Sequence, residues 1–286
     1  MTTVFQPGNT AVITGGASGI GLALAKRCAA AGMRVLVADR DAAALTAAPA
    51  AACAGADNDT SDVLTVEMDV SSPEGWAVLR RRVDDEFGGR VSLLALNAGV
   101  GGAPSRWDSA ESFRRVLDVN LGGVVNGLAA CLDAVRAAAG GGKAAVVITG
   151  SKQGITCPPG NPAYNASKAA VKALAEHLDY DLRAEDNVGV HLLVPGWTFT
   201  GMTGGGGARE KPAGAWWPEQ VVEFLERRMA EGKFYAVCPD NDVSESTDRR
   251  RMLWSVGDIV EGRPPMSRWR EEWKGPAQEW MDKQSL

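Results

Sequence analysis

The sequence predicts an α/β protein: a doubly wound parallel sheet of about seven strands, helices on both faces, folded as a single domain. Three observations carry this. Short apolar runs alternate with helical patterns over the first two hundred residues, the runs are apolar on both faces, and a glycine-rich turn joins the first run to the first helix. Strands buried on both faces belong to parallel sheets, and parallel neighbours need right-handed helical crossovers.

In chain order, residues 11–14 read as a strand and 19–31 as a helix; 34–38 is a strand, followed by an Ala-rich helical stretch around 41–54 that contains Pro49. A third strand, 63–68, precedes a helix over 73–87 with Pro in its first turn. Further strands fall at 92–96, 144–149 and 188–194, separated by long helical patterns at 109–138 and 161–184 and by a glycine turn at 140–142. Beyond residue 200, glycines 204–207 open a loop bearing Pro and Trp. It is read as a mobile substrate cover over 200–218. A helix near 218–231 and a strand at 234–238 complete a domain spanning residues 1–242. Residues 243–286 form an extension with four Trp (254, 269, 273 and 280), in which Arg263-Pro264-Pro265 cannot continue a helix. The extension shows too little apolar periodicity for a core of its own. Rings of that size do not stay in water together, so it is expected to dock on this domain or, preferentially, on a neighbouring subunit.

Composition narrows the function. A net charge of −5 argues against a nucleic-acid role, and the triplets Arg80–Arg82 and Arg249–Arg251 sit among acids, as on solvated helix faces. The five Cys (28, 53, 131, 157 and 238) are odd in number and lack metal-ligand spacing, which fits reduced thiols in a cytoplasmic protein without a disulfide framework or metal. The N-terminus has no signal-peptide pattern. No run approaches the ~18 apolar residues of a membrane span. Neither a membrane nor a nucleic acid is an expected partner.

The strand at 11–14 leads into Gly15-x-x-x-Gly19-x-Gly21, which opens a helix. Glycine serves where a chain turns sharply and where backbone approaches a pyrophosphate, and the helix N-terminus offers free N–H groups to the anion. Asp39 ends the second strand, 24 positions after Gly15. A carboxylate there accepts hydrogen bonds from the adenosine ribose and repels a 2′-phosphate, so NAD is expected rather than NADP; Arg40 is the one residue that could argue otherwise. Asp39 also suits the N-cap of the following helix.

Tyr164 and Lys168 lie about 150 residues after the turn and four apart, on one helical face. A free phenol titrates near 10, too high for a base at neutral pH. A nearby ammonium and the positive nicotinamide ring both favour the phenolate and pull that value down. Ser151, thirteen residues before the Tyr, follows a strand and can hydrogen-bond the same substrate oxygen.

With these residues in hand, the chain resembles a classical short-chain dehydrogenase/reductase, a Rossmann-type fold. The matching elements run in family order over residues 1 to about 200: TGGASGIG at 14–21, Asp69-Val70, Asn97-Ala98-Gly99, Asn120, Ser151, Tyr164-x-x-x-Lys168 and Pro195-Gly196. The resemblance implies a pyrophosphate on Gly15, Gly19 and Gly21 and the adenosine ribose at Asp39, with Ser18, Ile20 and Arg40 also cofactor-binding. It implies Asp69 and Val70 beside the adenine, Asn97 and Gly99 holding the cofactor from the fourth strand, and Pro195, Gly196, Thr198 and Thr200 around the nicotinamide, Thr200 at its carboxamide. Tyr164 is then the acid/base, Lys168 its ribose-binding partner, Ser151 the group that orients the substrate oxygen, and Asn120 the holder of a relay water beside Lys168. The resemblance further implies a homodimer or homotetramer. Leu96 stands where an Asn is common, Thr198 where an aliphatic is usual, and the extended C-terminus replaces a short one.

The substrate is expected between Ser151, Tyr164 and the two following loops. Gln153, Cys157, Pro158, Trp197, Met202, Trp216 and Trp217 are the candidate lining, and paired Trp suit a flat apolar, aromatic or alicyclic secondary alcohol or ketone. These Trp equally suit anchoring the loop on the protein's own surface. Rival functions are a non-redox epimerase or lyase and a catalytically silent regulatory protein; intact Ser, Tyr and Lys speak against the latter.

Overall fold

A computed structural model of the chain describes residues 4–54, 60–101, 107, 109–204 and 210–285. Residues 205–209 of the expected substrate loop lie outside them. Seven strands, β1 (Thr10–Thr14), β2 (Arg34–Asp39), β3 (Val63–Glu67), β4 (Leu93–Leu96), β5 (Ala144–Thr149), β6 (Val188–Val194) and β7 (Tyr235–Val237), form one sheet in the order β3-β2-β1-β4-β5-β6-β7. All six pairings are parallel. The order reverses between β1 and β4, so helices leave in opposite directions there and a crevice opens at the carboxyl ends of the strands.

Two apolar layers sandwich the sheet. One side packs under α1 (Gly19–Ala30), α2 (Ala42–Cys53) and α8 (Pro218–Ala230). The other packs under α3 (Pro73–Phe87), α5 (Gly123–Ala139) and α7 (Pro162–Leu182). Helix α2 runs through Pro49, because Leu45, Ala48 and Ala52 bury one face against the sheet and outweigh the lost backbone hydrogen bond. Its N-cap is Asp41, whose carboxylate accepts from Ala44 N at 3.0 Å. Asp39 therefore does not cap this helix. The long pattern at 109–138 is α4 (Ala110–Leu117), a single π-helical turn at Asp118–Gly122, and α5.

Counting uninterrupted apolar runs misses one property of this segment. Residues 110–139 are helical throughout and long and apolar enough, on length and mean hydropathy, to cross a membrane. Abundant Ala, Gly and Val raise the average without forming a long run, and one face of α5 packs onto β4 and β5.

The Arg triplets pair with acids: Arg80 with Asp84 and Asp133, Arg82 with Glu86, Arg249 with Glu245. The cysteines are free thiols, four of them buried. Burial pushes Cys131 and Cys238 up to about 12, which makes them inert.

The C-terminal extension is mostly helical, with α9 (Glu245–Val260) and α10 (Glu271–Asp282). Between α7 and these lies the short helical turn α6 (Gln153–Thr156), earlier in the chain, on which α9 packs. The extension builds a small cluster around Trp254, despite its weak periodicity. That ring is buried between Trp273 (6.4 Å between centroids), Trp280 (5.6 Å) and the Arg263 guanidinium, 3.7 Å above it. Trp254 Nε1 donates to Ser267 Oγ at 2.8 Å, and Asp258 accepts from Ser267 and Arg263. Three large rings and one stacked cation supply what periodicity lacks. Trp254→Ala is therefore expected to cost the extension about 3–5 kcal/mol, the range for truncating a buried Trp. Limited proteolysis should then cleave after residue 243 in the variant while residues 4–242 stay resistant; equal resistance in both proteins contradicts this.

Candidate active site

The site begins where β1 stops. Gly15, at φ +62°, turns the chain so closely past β4 that a Cβ would lie 2.9 Å from Ala98 Cα. At Gly21 a Cβ would lie 2.1 Å from the Gly15 carbonyl oxygen, so the first turn of α1 sits directly on the loop. The Asp39 carboxylate reaches this loop: Oδ2 accepts from Ala17 N at 3.1 Å while Oδ1 accepts from Arg40 N and Asp41 N. Asp69 accepts twice from Ser71, and these bonds hold its carboxyl below the usual carboxylate range.

Asn97 stands at the end of β4. Its backbone N donates to Thr14 Oγ1 (3.0 Å), its Nδ2 to Thr14 O (3.1 Å), and its Oδ1 accepts from Thr149 Oγ1 (3.1 Å). Three strand ends are thereby tied at the reversal point. Thr149 O in turn accepts from Lys168 Nζ at 2.7 Å. Lys168 is buried, and desolvation lowers its ammonium to about 8. Its Nζ lies 5.9 Å from the centre of the Tyr164 ring, and the Tyr164 phenol hydrogen-bonds Ser151. The phenol departs from expectation: in the protein alone, burial raises its pKa, and the Ser151 bond offsets only part of that. Removing a phenolate from water outweighs one hydrogen bond.

Asn120 is fully buried within the π-turn. Its Oδ1 accepts from Val100 N (2.8 Å), and its Nδ2 donates to Val100 O (3.1 Å) and Ser167 Oγ (3.0 Å). The amide clamps the loop after β4, and the irregular turn is what inserts it there.

A cavity of about 580 Å³ runs along the strand ends from Asp39 and Asp69 past the glycine turn to Ser151, Tyr164 and Lys168. The family model for short chain dehydrogenase matches residues 9–211 of the chain. The chain belongs to the short-chain dehydrogenases. It is 33% identical over 278 residues to the 1-deoxy-11-beta-hydroxypentalenate dehydrogenase of Streptomyces exfoliatus, covering 93% of this chain and 94% of that one. It is 32% identical to the NADP-dependent (R)-specific alcohol dehydrogenase of Lentilactobacillus kefiri, over 68% of this chain and 74% of the relative. Among solved structures, a short chain dehydrogenase/reductase from Burkholderia phymatum in complex with NAD superposes with TM-score 0.79 at 29% identity, covering 92% and 98% of the two chains. The chain is thus related to oxidoreductases that act on alcohols, and its relatives include users of both NAD and NADP.

The dehydrogenase cavity gathers most residues singled out in the sequence. Gly15, Ser18, Gly19, Ile20, Asp39, Arg40, Asp69, Val70, Asn97 and Gly99 line it, as do Ser151, Tyr164, Lys168, Pro195, Gly196, Thr198 and Thr200. Gly21 and Asn120 stand behind its wall. Of the seven candidate substrate residues, Met202 alone is on the described lining. Gln153, Cys157 and Pro158 form the α6 turn and the bend after it, outside that lining; the Cys157 thiol is pushed up by burial. Trp216 packs partly buried against the core, with its ring 6.0 Å from Phe224 and Nε1 donating to Asn241 Oδ1. Trp217 stacks edge-on against Phe199, and Trp197 is half exposed with its N–H on Asp240. Sequence alone does not say which way a loop Trp turns. It also passes over Thr14, Ser167 and Arg115: the first two sit inside the motifs TGGASGIG and YNASK, whereas Arg115, on the cavity wall, carries no spacing signal.

The depressed Lys168 titration has a measurable consequence. Below pH 8 both the folded and unfolded chains carry the proton, so folding bears the full penalty of burying it. Between about 8 and 10.5 the folded chain releases the proton first, and stability rises with pH. The stability gap between wild type and Lys168→Met is therefore expected to shift in favour of wild type by on the order of 3 kcal/mol across that window. Urea melts of both proteins from pH 7 to 11 measure it; a pH-independent gap refutes the depressed value.

Proposed function

We propose that the chain is an NAD-dependent oxidoreductase that interconverts a secondary alcohol and its ketone, with Tyr164 as the acid/base. One observation carries the reading: the Tyr164 phenol is hydrogen-bonded to Ser151, with the buried Lys168 ammonium beside it, at the inner end of a cavity whose far end is a glycine turn with a carboxylate on it. Gly15, Ser18, Gly19 and Ile20 line the cavity at the head of α1, where the first N–H groups of a helix can meet a pyrophosphate, so the residues present fit a dinucleotide. Gly15, Ser18, Gly19 and Ile20 are proposed to hold its phosphates, Asp39 its adenosine ribose, Asp69 and Val70 its adenine. Gly99, Lys168, Pro195, Gly196, Thr198 and Thr200 are proposed for its nicotinamide half. When bound, the dinucleotide supplies the two-electron acceptor or donor at the substrate carbon.

The chain supplies the proton chemistry. In alcohol oxidation the Tyr164 phenolate takes the hydroxyl proton while the Ser151 hydroxyl holds the substrate oxygen in line; in reduction the phenol returns it. Burial alone opposes the phenolate, so the charge of Lys168 has to offset it. Thr149 O aims that ammonium. Asn120 sets the loop at Val100, next to Gly99.

NAD is preferred in this reading because the Asp39 carboxylate, fixed by Ala17 N, sits where a 2′-phosphate would meet a like charge. Val100 and Met202 on the cavity wall, and a full-length relative named for 1-deoxy-11-beta-hydroxypentalenate, support an apolar secondary alcohol, aromatic or alicyclic, as substrate. Homodimer or homotetramer assembly is proposed from the family resemblance.

Tyr164→Phe should lower turnover by ~10²–10⁴-fold while NAD binding stays near wild type, because the ring packing is kept and only the proton-transfer atom is lost. Screening aromatic and alicyclic secondary alcohols with NAD at 340 nm finds the substrate, and near-normal kcat in the variant sinks the assignment. Titrating both dinucleotides should show tighter NAD, with Asp39→Ser narrowing the difference; equal affinities in wild type would show that Arg40 prevails over the carboxylate.

A further inference from the structure

Immediately behind the proposed active site lies a largely enclosed charge cluster that the chemistry above does not use. Lys152, the residue after Ser151, places its ammonium 2.6 Å from Asp248 Oδ2 and 3.5 Å from Asp240 Oδ2. The three side chains are 14%, 4% and 9% exposed. Asp240 follows β7 and also accepts from Trp197 N at 3.2 Å. Gly196 brings its backbone against this cluster: a Cβ there would lie 2.7 Å from Asp240 Oδ2 and 3.0 Å from Lys152 Nζ. Asp248 comes from the first turn of α9, in the C-terminal extension. One ion cluster thus joins the turn after Ser151, the turn at Pro195-Gly196-Trp197 and the extension. A second contact holds the same turn, since Trp269 Nε1 donates to Thr156 O at 3.3 Å.

Such a cluster is a poor source of stability. Two carboxylates and an ammonium lose their hydration here, and an apolar replacement of similar volume is often as stable or more so. Burial indeed pushes the Asp248 carboxyl up, against the pull of Lys152 and the nearby Arg251. What the ions give that apolar contacts do not is a fixed position: the Lys152 ammonium is drawn between two carboxylates, with a hydrogen bond to Asp240 Oδ2, and Ser151 is one peptide away.

We propose that Asp248 is a positioning residue: through Lys152 it lets the C-terminal extension set the Ser151 hydroxyl against the Tyr164 phenol. The proposal rests on reading Ser151 and Tyr164 as the reacting pair. It gives the extension a part in the active site without contact with the cavity, because Lys152, Asp240 and Asp248 all lie outside its described lining.

The test uses the full chain free of dinucleotide. With three tyrosines in the sequence, labelling with ¹³Cζ-tyrosine gives three resolvable titrations, assigned through Tyr→Phe variants. Asp248→Asn should raise the Tyr164 midpoint by about 0.5–1 pH unit, the effect of weakening one hydrogen bond to the phenolate, and Asp248→Glu should restore most of it. Tyr180 and Tyr235 should not move. Made in an Asp240→Asn background, so that no lone carboxylate is left, the double variant Lys152→Met/Asp248→Leu replaces the pair with apolar groups and should raise the Tyr164 midpoint as Asp248→Asn does. On a turned-over alcohol, kcat should fall about 10- to 100-fold in Asp248→Asn with dinucleotide Kd unchanged, as for a slight misplacement of a reacting group. An unmoved Tyr164 midpoint in the double variant, folded by circular dichroism, overturns the proposal whatever the activity. Conversely, a wild type that oxidises no alcohol refutes the oxidoreductase reading and leaves the titration result standing.

Discussion

Everything at the carboxyl edge of the sheet depends on how three strand ends are held apart yet in register, and the Asn97 side chain does that. Parallel strands end in carbonyls and N–H groups with no further ladder partner, and such groups need a partner when buried. Asn97 and Thr14 satisfy β1 and β4, and Thr149 extends the network to β5. The network then continues to Lys168 through Thr149 O. The glycine turn and the buried ammonium are therefore fixed relative to one another by a short chain of hydrogen bonds, although they lie about 150 residues apart in sequence. The missing Asn at position 96 costs this network nothing visible: Leu96 is buried in the same apolar layer as Trp76 and Val124, a role suited to a strand covered on both sides.

The sheet was legible because its cause is local. Apolar runs bounded by turn residues mark buried strands, and all seven fall within a residue or two of where the pattern puts them. The Tyr164–Lys168 spacing was legible for the same reason, since four residues on a helix fix a shared face whatever else surrounds them. Features set by long-range packing were not. The direction of Trp216 depends on Phe224 and Asn241, which no local pattern reveals. Asn120 acts through a π-turn that reads as ordinary helix in the sequence. The cluster at Trp254 escapes periodicity because one ring surrounded by two others needs no stripe. Likewise, the raised Tyr164 phenol follows from burial, a property of the whole fold, while the sequence displays only the ammonium that opposes it.

The two lysines near Ser151, one buried and one partly buried, show how the same side chain serves opposite ends. Lys168 has a carbonyl oxygen for a partner, with no described carboxylate in ion-pair range, so its charge is uncompensated and its proton is held loosely, near 8. An ammonium in that state is a strong local field, ready to be balanced by a phenolate, and a carboxylate beside it would quench that field. Lys152 has two carboxylates, so its charge is spent locally and projects little beyond them. Exchanging these surroundings would leave Tyr164 without a counter-charge and the Ser151 turn without an anchor. The division is enforced by topology: Lys168 comes from the second turn of α7, where strand ends present carbonyls, whereas Lys152 lies at the outer turn that α9 can reach. On this view the extension contributes carboxylates where geometry is to be fixed, and the sheet keeps them away from where charge is to be used.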